Sequence, residues 1–141
     1  MPNSSICLDA SLVLGLVNHP SRERLKALWE EWRQEKLRFV APDLLFYEIT
    51  NAIYQYGKQG TLTPATAQRF LQLAQRLPIE LRSDEDLHRE AIHLAHQLSL
   101  PAAYDAHYLA LARRLGVELW TVDRRLYGQV HEKLDWVRFF S

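Results

Sequence analysis

Four carboxylates in this sequence fall where a folded chain can bring them together: Asp9, Glu48, Asp105 and Asp123. Asp9 directly follows the apolar run Ser5 to Leu8, and Asp123 directly follows the run Val117 to Val122. Both therefore project from one carboxyl edge if these runs are neighbouring strands of a parallel sheet. Glu48 and Asp105 lie in helical segments, and at about 100° per residue each sits at the margin of its apolar stripe. Four carboxylates meeting at a sheet edge repel one another and resist ionisation unless cations neutralise them. Hard oxygen donors select Mg2+ or Mn2+ over zinc. With one or two such ions, roughly 3.5–4 Å apart when paired, a bound water is acidified into a nucleophile and a leaving oxygen is stabilised, which cleaves a phosphodiester. Ser11 and Thr121 each stand two residues from an aspartate, in place to hydrogen-bond carboxylates or metal-bound water.

Each acid taken singly has an ordinary explanation. Asp9, Asp105 and Asp123 sit where a helix can begin, and aspartate is a favoured N-cap; Glu48 alone reads as a solvated helix residue. Capping does not account for a fourth acid, for the Thr121 spacing, or for the order of the four. His93 and His96 are one helical turn apart, but no third ligand completes a zinc set, and His107 is assigned no role. Arg124-Arg125 and Arg113-Arg114 flank the acidic motifs. Arg124 and Arg125 are the better candidates for holding the phosphates of a substrate, whereas Arg113 and Arg114 fit a solvated helix C-terminus.

The elements that must position these groups follow from periodicity and punctuation. Short strands are expected at Ser5 to Leu8, at Phe39 to Ala41 ahead of Pro42, at Ile79 to Leu81, and at Val117 to Val122. Helices are expected over Ser21 to Lys36 with Ser21 as N-cap, Asp43 to Tyr56, Thr63 to Leu77 with Pro64 at the first position, Ser83 to Leu98, and from Tyr104 to Gly116. A short turn is expected after Asp9. The third of these helices, counted after Ser21 and Asp43, carries no acid of the group; the second carries Glu48 in a stripe of Leu45, Ile49, Ala52, Ile53 and Tyr56. In the fifth, Tyr104, Tyr108, Leu111, Ala112 and Leu115 form the apolar face. Alternating strand and helix with long connections implies an α/β fold, a three-layer α/β/α sandwich around a central parallel sheet. Ligands in such sheets gather beyond the strands' carboxyl ends.

Composition bounds the rest. At 141 residues and 48% hydrophobic content the chain suffices for one domain, 1–141, with a continuous core. Seventeen basic residues balance seventeen acidic ones, so no field of one sign attracts a polyanion and any nucleic acid must be held locally. Cys7 is the only cysteine, which excludes an internal disulfide and suits a reducing compartment, so a cytoplasmic location is expected. No segment reads as a secretory signal or a membrane span. Trp29, Trp32, Phe46, Tyr47, Tyr54 and Tyr56 are numerous for exposed helices; most are assigned to the core and some to a dimer or partner surface.

The ordered combination of Leu8-Asp9-Ala10-Ser11, Glu48-Ile49-Thr50-Asn51 after Pro42, and Tyr104-Asp105-Ala106-His107-Tyr108-Leu109-Ala110-Leu111-Ala112 leading to Thr121-Val122-Asp123 resembles the PIN-domain nucleases over almost the whole chain. It is most similar to the VapC-type toxins of toxin–antitoxin pairs. The resemblance implies a metal-dependent endoribonuclease with Asp9, Glu48, Asp105 and Asp123 as metal ligands, Ser11 and Thr121 supporting them, and Asn51 assisting. It also implies a homodimer and a small antitoxin lying across the active-site groove. Two alternatives stand beside it: a non-catalytic protein-binding module of the same fold, and a DNA-directed or phosphate-ester hydrolase with the same metals.

Overall fold

A computed structural model describes residues 4–18 and 22–141. Its elements run β1 (Ser5–Leu8), α1 (Ala10–Asn18), α2 (Arg22–Gln34), β2 (Arg38–Ala41), α3 (Leu44–Lys58), α4 (Pro64–Gln75), β3 (Ile79–Leu81), α5 (Glu85–Leu98), α6 (Tyr104–Leu115), β4 (Glu118–Thr121), α7 (Arg124–Val130) and β5 (Val137–Phe139). The strands form one five-stranded sheet in the order β3-β2-β1-β4-β5, and every pairing is parallel. The α/β class and the central parallel sheet expected from the sequence are both present. Strand order reverses between β1 and β4, the crevice position at which such sheets bind ligands.

Side-chain alternation divides the sheet between two helical layers. Cys7 turns towards α6, its thiol 3.8 Å from the Tyr108 carbonyl oxygen. Its register partners Val40 and Leu119 share that face, since aligned residues of parallel strands point the same way. Ile6 and Leu8 point to the other face, in register with Phe39 and Trp120. There Trp29 of α2 stacks on Phe39 at 4.3 Å between ring centroids, and Trp32 meets Trp120 edge-on at 5.1 Å. Burying both faces explains why β1 and β2 carry uninterrupted apolar runs, Ile6 to Leu8 and Phe39 to Ala41, with no polar alternation. Of the six aromatics singled out in the sequence, Trp29 and Trp32 are buried in the core, while Tyr47 and Tyr54 of α3 are exposed.

Several boundaries moved for local reasons. The turn expected after Asp9 is the nine-residue helix α1, in which Leu12, Val13, Leu16 and Val17 are all buried. A helix apolar on most sides shows no 3.6-residue contrast to read. A helix start at Asp123 is borne out by α7, but neither the extent of that helix nor strand β5 is expected from the sequence, because seven and three residues are too few for a periodic signal. Helix α5, expected from Ser83, begins at Glu85 with Asp84 as its cap, whose carboxylate accepts from the Leu87 N–H at 2.9 Å. Asp43 precedes α3 without a side-chain cap bond. Thr63 caps α4 as expected, with Pro64 following. The Ser21 cap lies outside the described residues. Tyr104, placed on the apolar face of its helix by spacing, is 64% exposed.

Two left-handed residues close the helices that lead into the site. Gly116 ends α6 at φ 66°, and Ser99 ends α5 at φ 52°. A Cβ added at Gly116 meets nothing within 4 Å, so only backbone strain opposes a side chain there. We expect Gly116→Ala to lose about 1 kcal/mol in urea unfolding, and Ser99→Gly to gain about half as much. Equal stability of Gly116→Ala and the parent would contradict this assignment.

Candidate active site

The carboxyl ends of β1 and β4 deliver Asp9 and Asp123 to one cavity of about 310 Å³. Helix α3 contributes Glu48 and Asn51 to its wall, and α6 contributes Asp105 and Tyr108; Ser11 and Arg125 complete the polar lining. All four acids singled out in the sequence thus border the same space. A larger open depression, about 610 Å³, lies around the amino ends of β1 and β4 near Ser4 and Val117, away from this grouping of acids.

Asp9 is the most constrained member. It is 4% exposed, yet three donors hold it: Ser11 Oγ at 2.7 Å and the Leu12 N–H at 3.1 Å on Oδ1, and Thr121 Oγ1 at 2.5 Å on Oδ2. The Leu12 bond caps α1, so the ordinary capping role and a place in the cluster coexist in one residue. The same holds for Asp123, whose Oδ1 accepts from the N–H groups of Arg125 and Leu126 at 2.9 and 3.2 Å. Asp105 is different: it lies in the first turn of α6, whose N-cap is Ala103.

The single proton of each supporting hydroxyl goes to Asp9. Thr121 donates to Asp9 and accepts from the Asp123 N–H at 3.0 Å, and Ser11 donates to Asp9 and accepts from the Val122 N–H at 3.2 Å. Each hydroxyl has one proton, so their 3.2 Å separation from each other is a close contact without a donated hydrogen. Together they tie α1 to the end of β4. Asp9 has roughly four acceptor positions as a carboxylate. The three donors leave one of them, on Oδ2, open.

Glu48 accepts from the Tyr108 hydroxyl at 2.6 Å. Sequence reasoning placed Tyr108 only on an apolar face and missed this contact. The available signal was chemical: a tyrosine buried among Leu and Ala needs a partner for its O–H. Tyr108 is fully buried, so its hydroxyl holds Glu48 against the core.

Burial raises the affinity of these acids for protons. It lifts Asp9 to about 6, against the pull of its Thr121, Ser11 and Leu12 hydrogen bonds, and the Asp105 charge adds to the rise. Glu48 is also raised, first by burial, while the Tyr108 bond and His107 oppose it. Asp105 is raised by burial and by Asp123, with Arg125 opposing. Three reluctant carboxylates on one cavity are the electrostatic condition that a bound cation relieves. All four offer hard oxygen, the donor type of Mg2+ and Mn2+. Among the described residues, however, no three acidic, histidine or cysteine side chains converge tightly enough to hold an ion without rearrangement.

The cationic residues divide. Arg125 reaches the cavity, its Nη2 3.6 Å from Asp105 Oδ2 and 3.5 Å from Asp123 Oδ2. Arg124, nominated with it, turns away, its guanidinium carbon 5.3 Å from the Phe139 ring centre. Arg114 is held by Asp84 and Glu90, in keeping with a solvated helix end. His93 and His96 are exposed, and the histidines that meet are His88 and His107, at 3.0 Å between Nδ1 and Nε2. His107 Nδ1 donates to the Ala103 carbonyl at 2.9 Å, so its Nε2 accepts from His88.

Against known proteins, the PIN domain model matches residues 6–130. The chain belongs to the PIN-domain family. This PIN domain is 30% identical over 86 residues to Ribonuclease VapC3 of Pyrobaculum aerophilum, a match covering 60% of the chain and 65% of that protein. It also matches the crystal structure of PAE2754 from Pyrobaculum aerophilum at 27% identity and a TM-score of 0.67, covering 90% of the chain and 86% of that structure. VapBC2 from Rickettsia felis, solved with a DNA fragment from its promoter, shares the fold at 13% identity and a TM-score of 0.71, covering 97% and 99%.

A raised carboxylate pKa has a definite sign. For Asp9 the folded value near 6 exceeds the ordinary 3.8, so folding favours the protonated acid. That stability is complete below about pH 4 and is lost as pH rises through 6. With chelator present, Asp9→Asn should gain on the parent by up to about 3 kcal/mol between pH 4 and pH 8 in urea unfolding. A difference that does not vary with pH would mean that Asp9 ionises normally.

Proposed function

We propose that this PIN domain is a divalent-metal-dependent endoribonuclease acting as the toxin of a type II toxin–antitoxin pair. The observation that carries the reading is the meeting of Asp9, Glu48, Asp105 and Asp123 around one open cavity at the reversal of strand order. The ribonuclease name of the 30% identical relative supports RNA as substrate, and the two-component VapBC2 neighbour supports an antitoxin partner.

In this reading the four carboxylates hold Mg2+ or Mn2+. The ion, when bound, supplies Lewis acidity towards the phosphate and lowers the pKa of water. The chain's own residues supply placement. Ser11 and Thr121 clamp Asp9, leaving one acceptor position on Oδ2 open. Tyr108 fixes Glu48 in the cavity wall by donating its O–H to one carboxylate oxygen. Asn51 offers an exposed amide at the rim for substrate or ordered water. Arg125 is the lining residue able to pair with a substrate phosphate, which a chain of zero net charge needs locally. Arg124 is left out of that role by its place over Phe139.

Exposed Tyr47, Tyr54 and Tyr104 offer contact area to an antitoxin or a second copy in a homodimer. No helix among the described residues is long and apolar enough to cross a membrane. Cys7 is buried and unpaired, which fits the reducing cytoplasm, where RNA is also found.

The test offers a mixed RNA pool, single-stranded DNA and duplex DNA to the purified protein with Mg2+, Mn2+ or chelator. We expect RNA cutting that chelator stops and that Asp105→Asn lowers by about 100-fold or more while the thermal melt is retained. Cutting by Asp105→Asn at the parental rate would reject the assigned site. Preference for DNA would make the protein a deoxyribonuclease instead.

A further inference from the structure

We propose that Arg125 is the built-in counter-ion of the acidic cluster, and that a divalent cation must displace it from Asp105 and Asp123 to bind. This rests on the metal-dependent reading above and adds a control on metal affinity within the same site.

One atom carries the argument. Arg125 Nη2 stands 3.6 Å from an Asp105 oxygen and 3.5 Å from an Asp123 oxygen, so it bridges carboxylates contributed by α6 and by the end of β4. The space between two such oxygens is where a shared cation would sit. Arg125 is also the only Lys or Arg among the described residues that line the cavity, and so the only permanent positive charge facing its four acids. Asp9 and Glu48 are satisfied by neutral donors, Thr121, Ser11, Leu12 and Tyr108. Asp105 and Asp123 are the pair left to a charged partner.

The hold is secure at one end and loose at the other. The Arg125 backbone N–H is fixed on Asp123 Oδ1 at 2.9 Å, which starts α7 and returns the side chain to the same place. Its guanidinium contacts exceed ordinary charge-assisted hydrogen-bond lengths, and its side chain is 59% exposed. Such a pair contributes little and is easily exchanged. A divalent cation brings twice the charge and approaches oxygen to roughly 2.0–2.1 Å in the case of magnesium.

The experiment is calorimetric titration of the intact protein with Mn2+, without RNA, for the parent, Arg125→Gln, Arg125→Lys and Arg124→Gln. Arg125 is largely exposed, and thermal melts check that each variant is folded. Removing the competing charge should tighten Mn2+ binding by about threefold to tenfold in Arg125→Gln. Arg125→Lys keeps a charge and should stay near the parent. Arg124→Gln removes an equal charge that sits on Phe139 and should leave the affinity unchanged. Mn2+ bound no more tightly by Arg125→Gln would overturn the proposal while leaving the metal site intact. Equal tightening in Arg124→Gln would overturn it too, by reducing the effect to bulk charge. Failure of every variant to bind Mn2+ would overturn both the proposal and the metal-dependent reading.

Discussion

A buried carboxylate at the end of the central strand sets the terms for everything around it. Asp9 leaves β1 at the point where the chain passes into α1, and at 4% exposure it has little water to solvate its charge. Folding compensates with three hydrogen bonds from three directions: the Ser11 hydroxyl, the Leu12 N–H in the first turn of α1, and Thr121 from the neighbouring strand. These bonds bind β1, α1 and β4 into one corner. They do not remove the cost of the charge, since Asp9 still holds its proton up to about pH 6. A corner braced this firmly around a reluctant acid retains an affinity for positive charge, which is what a cation site requires.

The surrounding architecture brings further acids to that corner without letting them collapse onto it. Glu48 is anchored by Tyr108, whose ring fills the core between α6 and the sheet while its hydroxyl reaches the cavity. Asp123 is tied to the start of α7, and Asp105 is restrained through Arg125. Asp9, Glu48 and Asp123 are therefore each fixed by hydrogen bonds, Asp105 has only the loose contact with Arg125, and all four border the cavity. Fixed placement of charge before the ligand arrives is the basis of electrostatic preorganisation. It also explains how helix capping and site building share residues: Asp9 and Asp123 satisfy orphan N–H groups with one oxygen and face the cavity with the other.

The outer surface has a different logic. Zero net charge gives the protein no general attraction for nucleic acid, so recognition falls to individual groups at the cavity rim. The aromatic residues divide according to which side of their helix meets the sheet. Trp29 and Trp32 stack into the core against Phe39 and Trp120, while Tyr47 and Tyr54, on the opposite side of α3 from Leu45, Ile49 and Ile53, remain open to solvent.

Much of this could be read in the residues themselves. Short β-branched and apolar runs, Pro64 after Thr63, and Gly116 after an amphipathic stretch marked the elements, and their alternation was enough for a parallel α/β sheet. Strand ends and stripe margins are local properties and suggested that the four carboxylates could meet, but it was the resemblance of their ordered motifs to PIN-domain nucleases, more than spacing, that nominated Asp9, Glu48, Asp105 and Asp123 with Ser11 and Thr121 as one site. What periodicity cannot carry is anything that depends on distance across the fold. Only the tertiary structure separated Arg125 from its neighbour Arg124, exchanged the His93–His96 pair for His88 and His107, and gave Tyr108 its hydroxyl partner. Adjacent side chains on a helix diverge by about 100°, and partners such as Glu48 and Tyr108 lie 60 residues apart, so which of them meet is decided by packing. Helix α1 and strand β5 were hidden for the same reason: one is apolar on most sides and the other is three residues long, and each is stabilised by its neighbours more than by any pattern of its own.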